Sequence, residues 1–92
     1  MIRSIRGTAT RQFVETGKSK FSGMDVVIAR RRLAVLNSAS SPQEFGPLRS
    51  IGLHRLTGDR KEFWAVTING PWRLVFRFDE GHAWDVEIVD YH

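Results

Sequence analysis

Residues 63–78 read FWAVTINGPWRLVFRF, which contains two rows of alternating apolar residues joined by a turn. The first row is Trp64, Val66 and Ile68, and the second is Trp72, Leu74, Phe76 and Phe78. Because successive strand side chains point to opposite faces, this pattern predicts a hairpin that buries one face. Asn69-Gly70 is a hairpin signal, and Pro71 directly after it predicts an altered turn.

Two more strands flank the predicted hairpin. Leu53 and Leu56 belong to a short strand before it, and a final strand runs from Ala83 to Tyr91 with Trp84, Val86 and Ile88 as its apolar set. The turn between the last two strands ends at Gly81, which suits the left-handed conformation. His82, next to this glycine, is expected to be exposed to solvent.

The sequence of the N-terminal half predicts a short strand followed by two helices. The strand covers Ile2 to Ile5, and Thr8 or Thr10 is expected to cap a first helix that ends at Gly17 and turns Phe13 and Val14 inward. The second helix presents one apolar face with helical spacing, namely Val26, Ala29, Leu33 and Leu36. Asp25 lies near its N-terminus, where a carboxylate is favoured.

These elements predict one α+β domain over residues 1–92, in the order β-α-α-β-β-β-β. The two helices are expected to pack on one face of a largely antiparallel sheet and to leave the other face open. Arg73 and Arg77 alternate with the buried row, so both should lie on that open face. Arg73 is the better phosphate ligand, because it is nearer the turn and its planar fork matches phosphate oxygens. Arg77 is interpreted either as a solvated charge or as a nucleic-acid contact.

Composition limits the possible functions. Fourteen Lys and Arg against ten Asp and Glu give a net charge of +4, which favours an anionic partner. The absence of cysteine excludes disulfides and thiolate chemistry, and the three histidines lack a metal-ligand pattern, so no metal or cofactor is expected. No apolar run approaches the ~20 residues that span a bilayer, so we expect a cytoplasmic protein without membrane contact.

The chain ends in Val89-Asp90-Tyr91-His92, which places a carboxylate, a phenol and an imidazole at the end of a predicted strand. Simple alternation would direct Asp90 and His92 toward the core with Ile88. We therefore expect a bulge near Val89 that returns them to the open face. A terminus held by a sheet in this way can take part in chemistry.

Three motifs together carry a family resemblance. They are the run Leu53-His54-Arg55-Leu56-Thr57-Gly58-Asp59, the strand Trp72-Arg73-Leu74-Val75-Phe76-Arg77-Phe78 and the ending Asp90-Tyr91-His92. In this order and spacing, with Phe63-Trp64-Ala65-Val66 between the first two, the chain resembles the HigB branch of the RelE-like bacterial toxins. The resemblance covers essentially the whole chain and is strongest from Leu53 onward.

The resemblance implies a toxin of a type II toxin–antitoxin pair that cuts mRNA in the A site of the 30S ribosomal subunit and halts translation. It implies a HigA-like antitoxin with a helix-turn-helix domain, and a complex of the two that binds operator DNA. By matching position, the implied catalytic set is His54, Arg73, Asp90, Tyr91 and His92. Many relatives have lysine where this chain has Thr57, and Arg55, Arg60 or Lys61 is expected to replace its charge. With Arg77, these three form the expected RNA-binding set.

These residue types suit cleavage by the RNA's own 2′-hydroxyl, which requires a base, an acid and cations for the phosphorane. Imidazole suits either proton role, so His54 and His92 form the expected pair, while Asp90 either orients His92 or acts as the base. Arg73 is expected to stabilise the phosphorane, and Tyr91 to stack on a base or hold the backbone. Two alternatives remain: a weak nuclease that acts mainly as an antitoxin-binding co-repressor, and a nuclease that cuts free RNA without the ribosome.

Overall fold

The computed structural model of this protein describes residues 1–91. Its helices are α1 (Thr8–Thr16) and α2 (Val26–Ser38), and its strands are β1 (His54–Arg55), β2 (Phe63–Asn69), β3 (Trp72–Asp79) and β4 (His82–Asp90). Short 3-10 turns cover Pro42–Phe45 and Gly58–Arg60. The predicted order of two helices followed by four strands is confirmed, as is the α+β class.

The four strands form one antiparallel sheet in the order β1-β2-β3-β4. The predicted opening strand is present only as two isolated parallel bridges, from Ile2 to Ala83 and from Ile5 to Val86. These bridges hold the N-terminal segment along the outer edge of β4. Each edge of β4 is therefore paired over part of its length, by β3 on one side and by this segment on the other.

The two helices begin differently from each other. The N-cap of α1 is Gly7 at φ 85, and no side chain caps the helix, so the predicted threonine cap is wrong. Thr10 is instead buried, and its hydroxyl accepts a hydrogen bond from the Ile88 amide at 3.1 Å. Asp25 does cap α2, because its carboxylate accepts bonds from the Val27 and Ile28 amides. Gly17 ends α1 in the left-handed conformation, as predicted.

The main core lies between the helices and one face of the sheet. It contains Phe13 from α1 and the apolar rows of β2 and β3, together with Ala29, Leu33 and Leu36 from α2. Val14 and Val26, which were expected to face inward, are 37% and 40% exposed. The opposite face has a small cluster of its own, formed by Leu56, Ala65 and Val75 with Phe63 and Val89 packed against it. The face expected to be open thus has a buried centre.

A bulge interrupts β4 at a position that the sequence did not indicate. Val75 pairs with Glu87 and Arg77 pairs with Trp84, so two residues of β4 lie opposite Phe76 alone. Asp85, within this bulge, has φ 53. The bulge divides the expected apolar set: Val86 and Ile88 enter the main core, whereas Trp84 shares the opposite face with Arg77.

The bulge expected near Val89 is not observed. Val89 pairs with Arg73, and Asp90 pairs with Trp72, in regular register. Because Trp72 packs against the main core, this pairing places Asp90 on the helix side of the sheet edge. Within residues 1–91, no helix is long and apolar enough to cross a membrane, and no group of three or more His, Asp or Glu residues could hold a metal ion.

Candidate functional site

His54 and Arg73 lie on the same face of the sheet, opposite the helices. The register places His54 in one row across the sheet with Ala65 and Val75. The next row on the same face contains Arg73, between Thr67 and Val89. Strand spacing and rise place the two Cα atoms about 12 Å apart, with β2 between them. A phosphate above β2 would lie within reach of both side chains.

The Arg73 side chain is held against the hairpin turn. Its Nη1 donates to the carbonyl of Gly70 at 2.6 Å and to that of Trp72 at 3.0 Å. Both described bonds use the same nitrogen, so Nε and Nη2 remain available to donate to a phosphate. A guanidinium fixed in this way loses little conformational entropy when it binds an anion.

The local backbone also fixes the His54 ring. Its Nδ1 lies 2.9 Å from the carbonyl oxygen of Gly52, and because a carbonyl only accepts, Nδ1 carries a proton. In the neutral ring, Nε2 is then the unprotonated nitrogen and is able to take a proton. Gly52 has φ 61, and a Cβ there would lie 2.9 Å from Thr67 Oγ1, so the turn that supplies this carbonyl requires glycine.

The end of the chain meets the same hairpin turn. The Tyr91 amide donates to the carbonyl of Pro71 at 2.7 Å, directly beside the Gly70 carbonyl that binds Arg73. The Tyr91 side chain is 47% exposed. His92 lies outside the described residues. The Gly70-Pro71 turn thus connects Arg73 to the C-terminal strand, although Asp90 itself lies on the helix side.

The four expected RNA contacts occupy different positions. Arg55 pairs with Trp64 on the helix side, with its guanidinium 5.3 Å from that ring and bonded to the Lys61 carbonyl. The Lys61 side chain is exposed at the end of the 3-10 turn that begins after Thr57. The structure therefore separates Arg55 from the face that carries His54 and Arg73.

Arg60 and Arg77 do reach that face. The Arg60 guanidinium lies 5.8 Å from the Phe63 ring, and that of Arg77 lies 5.7 Å from the Trp84 ring. Arg77 also forms a salt bridge with Asp85 at 3.0 Å, and both side chains are about one-third exposed. Its charge is partly neutralised within the protein. The sequence did not identify Trp84 or Asp85 as residues of the open face, because the face on which each lies depends on the bulge in β4.

Two other features do not belong to the arrangement of His54 and Arg73. His82, expected to be exposed, has a buried Nδ1 without a hydrogen-bond partner among the described residues, and its Nε2 lies 3.4 Å from Arg3 Nη2. A groove of about 520 Å³ lies between α1, α2 and the N-terminal segment. Its lining is mostly apolar, with Arg30 as the charged member, so it lacks the groups that proton transfer requires.

The architecture of two helices on one face of a four-stranded antiparallel sheet is consistent with the RelE-like fold. A family model described as "RelE-like toxin of type II toxin-antitoxin system HigB" matches residues 4–92. The chain therefore belongs to the HigB-like toxin family, and the predicted resemblance is confirmed. Membership in a type II system implies an antitoxin partner.

A curated relative agrees with this family over its full length. The chain is 35% identical over 95 residues to "Endoribonuclease HigB" of Proteus vulgaris, and the match covers 100% of each protein. The similarity thus extends through both helices, the sheet and the chain end.

Proposed function

We propose that this protein is a ribosome-dependent endoribonuclease that cuts mRNA and thereby halts translation and growth. The observation that carries the proposal is the arrangement of His54 and Arg73 on one sheet face, each held by a backbone carbonyl. The name of the Proteus vulgaris relative, an endoribonuclease, supports the same reaction class.

In the proposed reaction, a base removes the proton of a ribose 2′-hydroxyl, whose oxygen attacks the adjacent phosphorus. The bond from phosphorus to the 5′-oxygen then breaks, and an acid protonates that oxygen. The products are a 2′,3′-cyclic phosphate and a free 5′-hydroxyl. Because the nucleophile belongs to the RNA, the reaction requires no metal ion.

Arg73 has the geometry to stabilise the phosphorane, since it presents two further donors from a fixed position. His54 and His92 are the proposed acid–base pair, with Asp90 orienting the chain end and Tyr91 stacking on a base or holding the backbone. The outward Nε2 of His54 suits proton transfer in either direction.

The charge of the open face supports dependence on the ribosome. Arg77 is paired with Asp85, and Arg55 lies on the other side of the sheet. Of the expected RNA-binding set, Arg60 is then the cation that reaches the open face without an ion pair among the described residues, and binding of free RNA depends on contacts to phosphates. We propose that the 30S A site presents the mRNA, and that the toxin supplies mainly the catalytic groups.

The proposed partner in the cell is a HigA-like antitoxin with a helix-turn-helix domain, and the complex would bind operator DNA in the cytoplasm. Association of the toxin with the antitoxin is tested by light scattering, which measures the mass of the complex after the two proteins are mixed. Operator binding is tested by gel shift of the complex against the antitoxin alone. Failure of the toxin to associate with such an antitoxin would contradict this part of the proposal.

Thr57 supports a second candidate, a weak nuclease that acts mainly as an antitoxin-binding co-repressor. Thr57 precedes the 3-10 turn, and its side chain is uncharged, so it supplies no charge where many relatives have lysine. Arg60 is the best placed replacement, because its contact with Phe63 brings it to the open face. A Thr57→Lys variant that cuts far faster than wild type would favour this candidate.

The deciding experiment is primer-extension mapping of mRNA cuts after expression without antitoxin. Wild type should stop growth and produce cuts, whereas Arg73→Ala and His92→Ala should do neither. Arg31→Ala, which removes an exposed arginine from α2, is the matched control and should behave as wild type. Absence of cuts with wild type would contradict the nuclease. Equally fast cutting of purified mRNA without ribosomes would support the ribosome-independent alternative.

A further inference from the structure

A row of flat side chains crosses the open face away from the hairpin turn. Phe63, Arg77 and Trp84 are paired in register across β2, β3 and β4. Arg60 lies against Phe63 at 5.8 Å, and Arg77 lies against Trp84 at 5.7 Å. We call these four residues, Arg60, Phe63, Arg77 and Trp84, the aromatic row.

The aromatic row remains partly accessible. Phe63, Arg77 and Trp84 are half-buried and Arg60 is exposed, and both described helices pack on the other face. The salt bridge from Arg77 Nε to Asp85 fixes the guanidinium beside the Trp84 ring. The indole Nε1 also donates to the Asp79 carbonyl at 3.3 Å. The surface is therefore rigid, and flat rather than strongly charged.

A surface of this kind suits one class of ligand. Unstacked RNA bases bind to aromatic rings and to arginine planes, and this stacking tolerates any sequence because every base has a π-face. A metabolite anion would require free charge, which the pairing of Arg77 with Asp85 reduces. The row also lies on the same face as Arg73, about 13 Å along β3.

We propose that the aromatic row is a stacking subsite for a base of the mRNA strand whose scissile phosphate lies at Arg73. This inference rests on the proposed nuclease function. The bound base belongs to a nucleotide near the cleaved bond and fixes the direction of the strand across the sheet. The bulge at Asp85 creates the subsite, because without it Trp84 would face the helices.

The first test is direct and uses the full chain without ribosomes. A short 2′-O-methyl oligonucleotide cannot be cleaved by its own 2′-oxygen, so binding is observed by itself. In proton–nitrogen NMR spectra the indole signal of Trp84 should shift on titration. That of Trp72, which donates to the Ser22 carbonyl on the helix side, should not.

An abasic oligonucleotide is the control for stacking. It retains the phosphates and should leave the Trp84 signal in place. Equal shifts with both oligonucleotides would show an electrostatic contact and overturn the proposal. A Trp84 signal that never moves, at concentrations that saturate the protein, would overturn it as well.

The second test uses cleavage on the ribosome. Trp84→Leu removes the ring and should reduce the rate at subsaturating ribosome by about 5- to 100-fold, the range expected for loss of one stacked base. Trp84→Phe should retain most of the rate, and urea unfolding separates a folding defect from a binding defect. Trp84→Leu cutting as fast as wild type would exclude the subsite while the nuclease stands. If wild type itself makes no cuts, the proposed function fails, and the NMR titration still decides whether the row binds bases.

Discussion

Replacing Gly52 with alanine should damage both the stability and the activity of this protein. Gly52 has φ 61, where a residue with a Cβ is strained by about 1–2 kcal/mol. Its Cβ would also lie 2.9 Å from Thr67 Oγ1, so that side chain or the turn must move. Because the Gly52 carbonyl accepts the Nδ1 proton of His54, a shift of this turn releases the ring.

Gly23→Ala is a matched control for this substitution. Gly23 has φ 77, but nothing lies within 4 Å of a Cβ built there, and its carbonyl accepts a hydrogen bond from the Asn69 side chain rather than from His54. Urea unfolding should show a loss of about 1–2 kcal/mol for Gly23→Ala with normal mRNA cleavage. Gly52→Ala should lose more stability and should cut more slowly when both variants are fully folded. Equal stability losses and equal cleavage rates in the two variants would refute the proposed support of His54 by this turn.

Three further predictions concern other sites. Arg73→Lys keeps the charge but loses the planar fork, so cleavage on the ribosome should fall by about 10-fold or more relative to wild type, and a normal rate would contradict bidentate phosphate binding. Glu80 has φ 52 at an exposed turn, so Glu80→Gly should raise the free energy of unfolding in urea by up to about 1 kcal/mol, whereas Glu80→Ala should not. Hydrogen bonds from the Ser40 side chain and amide lower the pKa of Glu44, so its carboxylate stabilises the fold above its ordinary pKa, and this contribution disappears as the pH falls through the lowered value. The melting temperature of Glu44→Gln should accordingly lie below that of wild type at neutral pH and approach it in acid, and a gap independent of pH would contradict this assignment.

The strands were predictable because their signal is local. The row Trp72, Leu74 and Phe76 alternates without interruption, and β3 has no bulge of its own to disturb it. The positions of Asp25 and Gly17 at helix ends were also predictable, since each meets a backbone requirement within its own turn. Thr10 was misassigned because its hydroxyl bonds to Ile88, which is 78 residues away.

The faces of β4 were not predictable in the same way. Alternation assigns Trp84 to the core, but Asp85 adopts a positive φ that aspartate tolerates only occasionally, and nothing in the local sequence marks it. An extra residue at this point shifts the alternation by one position. The side chains before it therefore point to the opposite face from the one that alternation with the later residues would predict. The aromatic row is a consequence of this reversal, which explains why the candidate residues on β4 were only partly identified from the sequence.

The same register bears on the roles at the chain end. Asp90 pairs with Trp72 on the helix side, whereas a base for the 2′-hydroxyl must lie on the face that carries Arg73. This favours Asp90 as the residue that positions the end of the chain, and His54 as the proposed base, since its Nε2 faces away from the Gly52 carbonyl. The Gly70-Pro71 turn connects Arg73 with the C-terminal strand. Its Gly70 carbonyl accepts a hydrogen bond from the Arg73 guanidinium, and its Pro71 carbonyl accepts one from the Tyr91 amide. A disturbance of the C-terminal strand should therefore reach Arg73 through the turn, even though the strand's last carboxylate lies on the opposite side of the sheet.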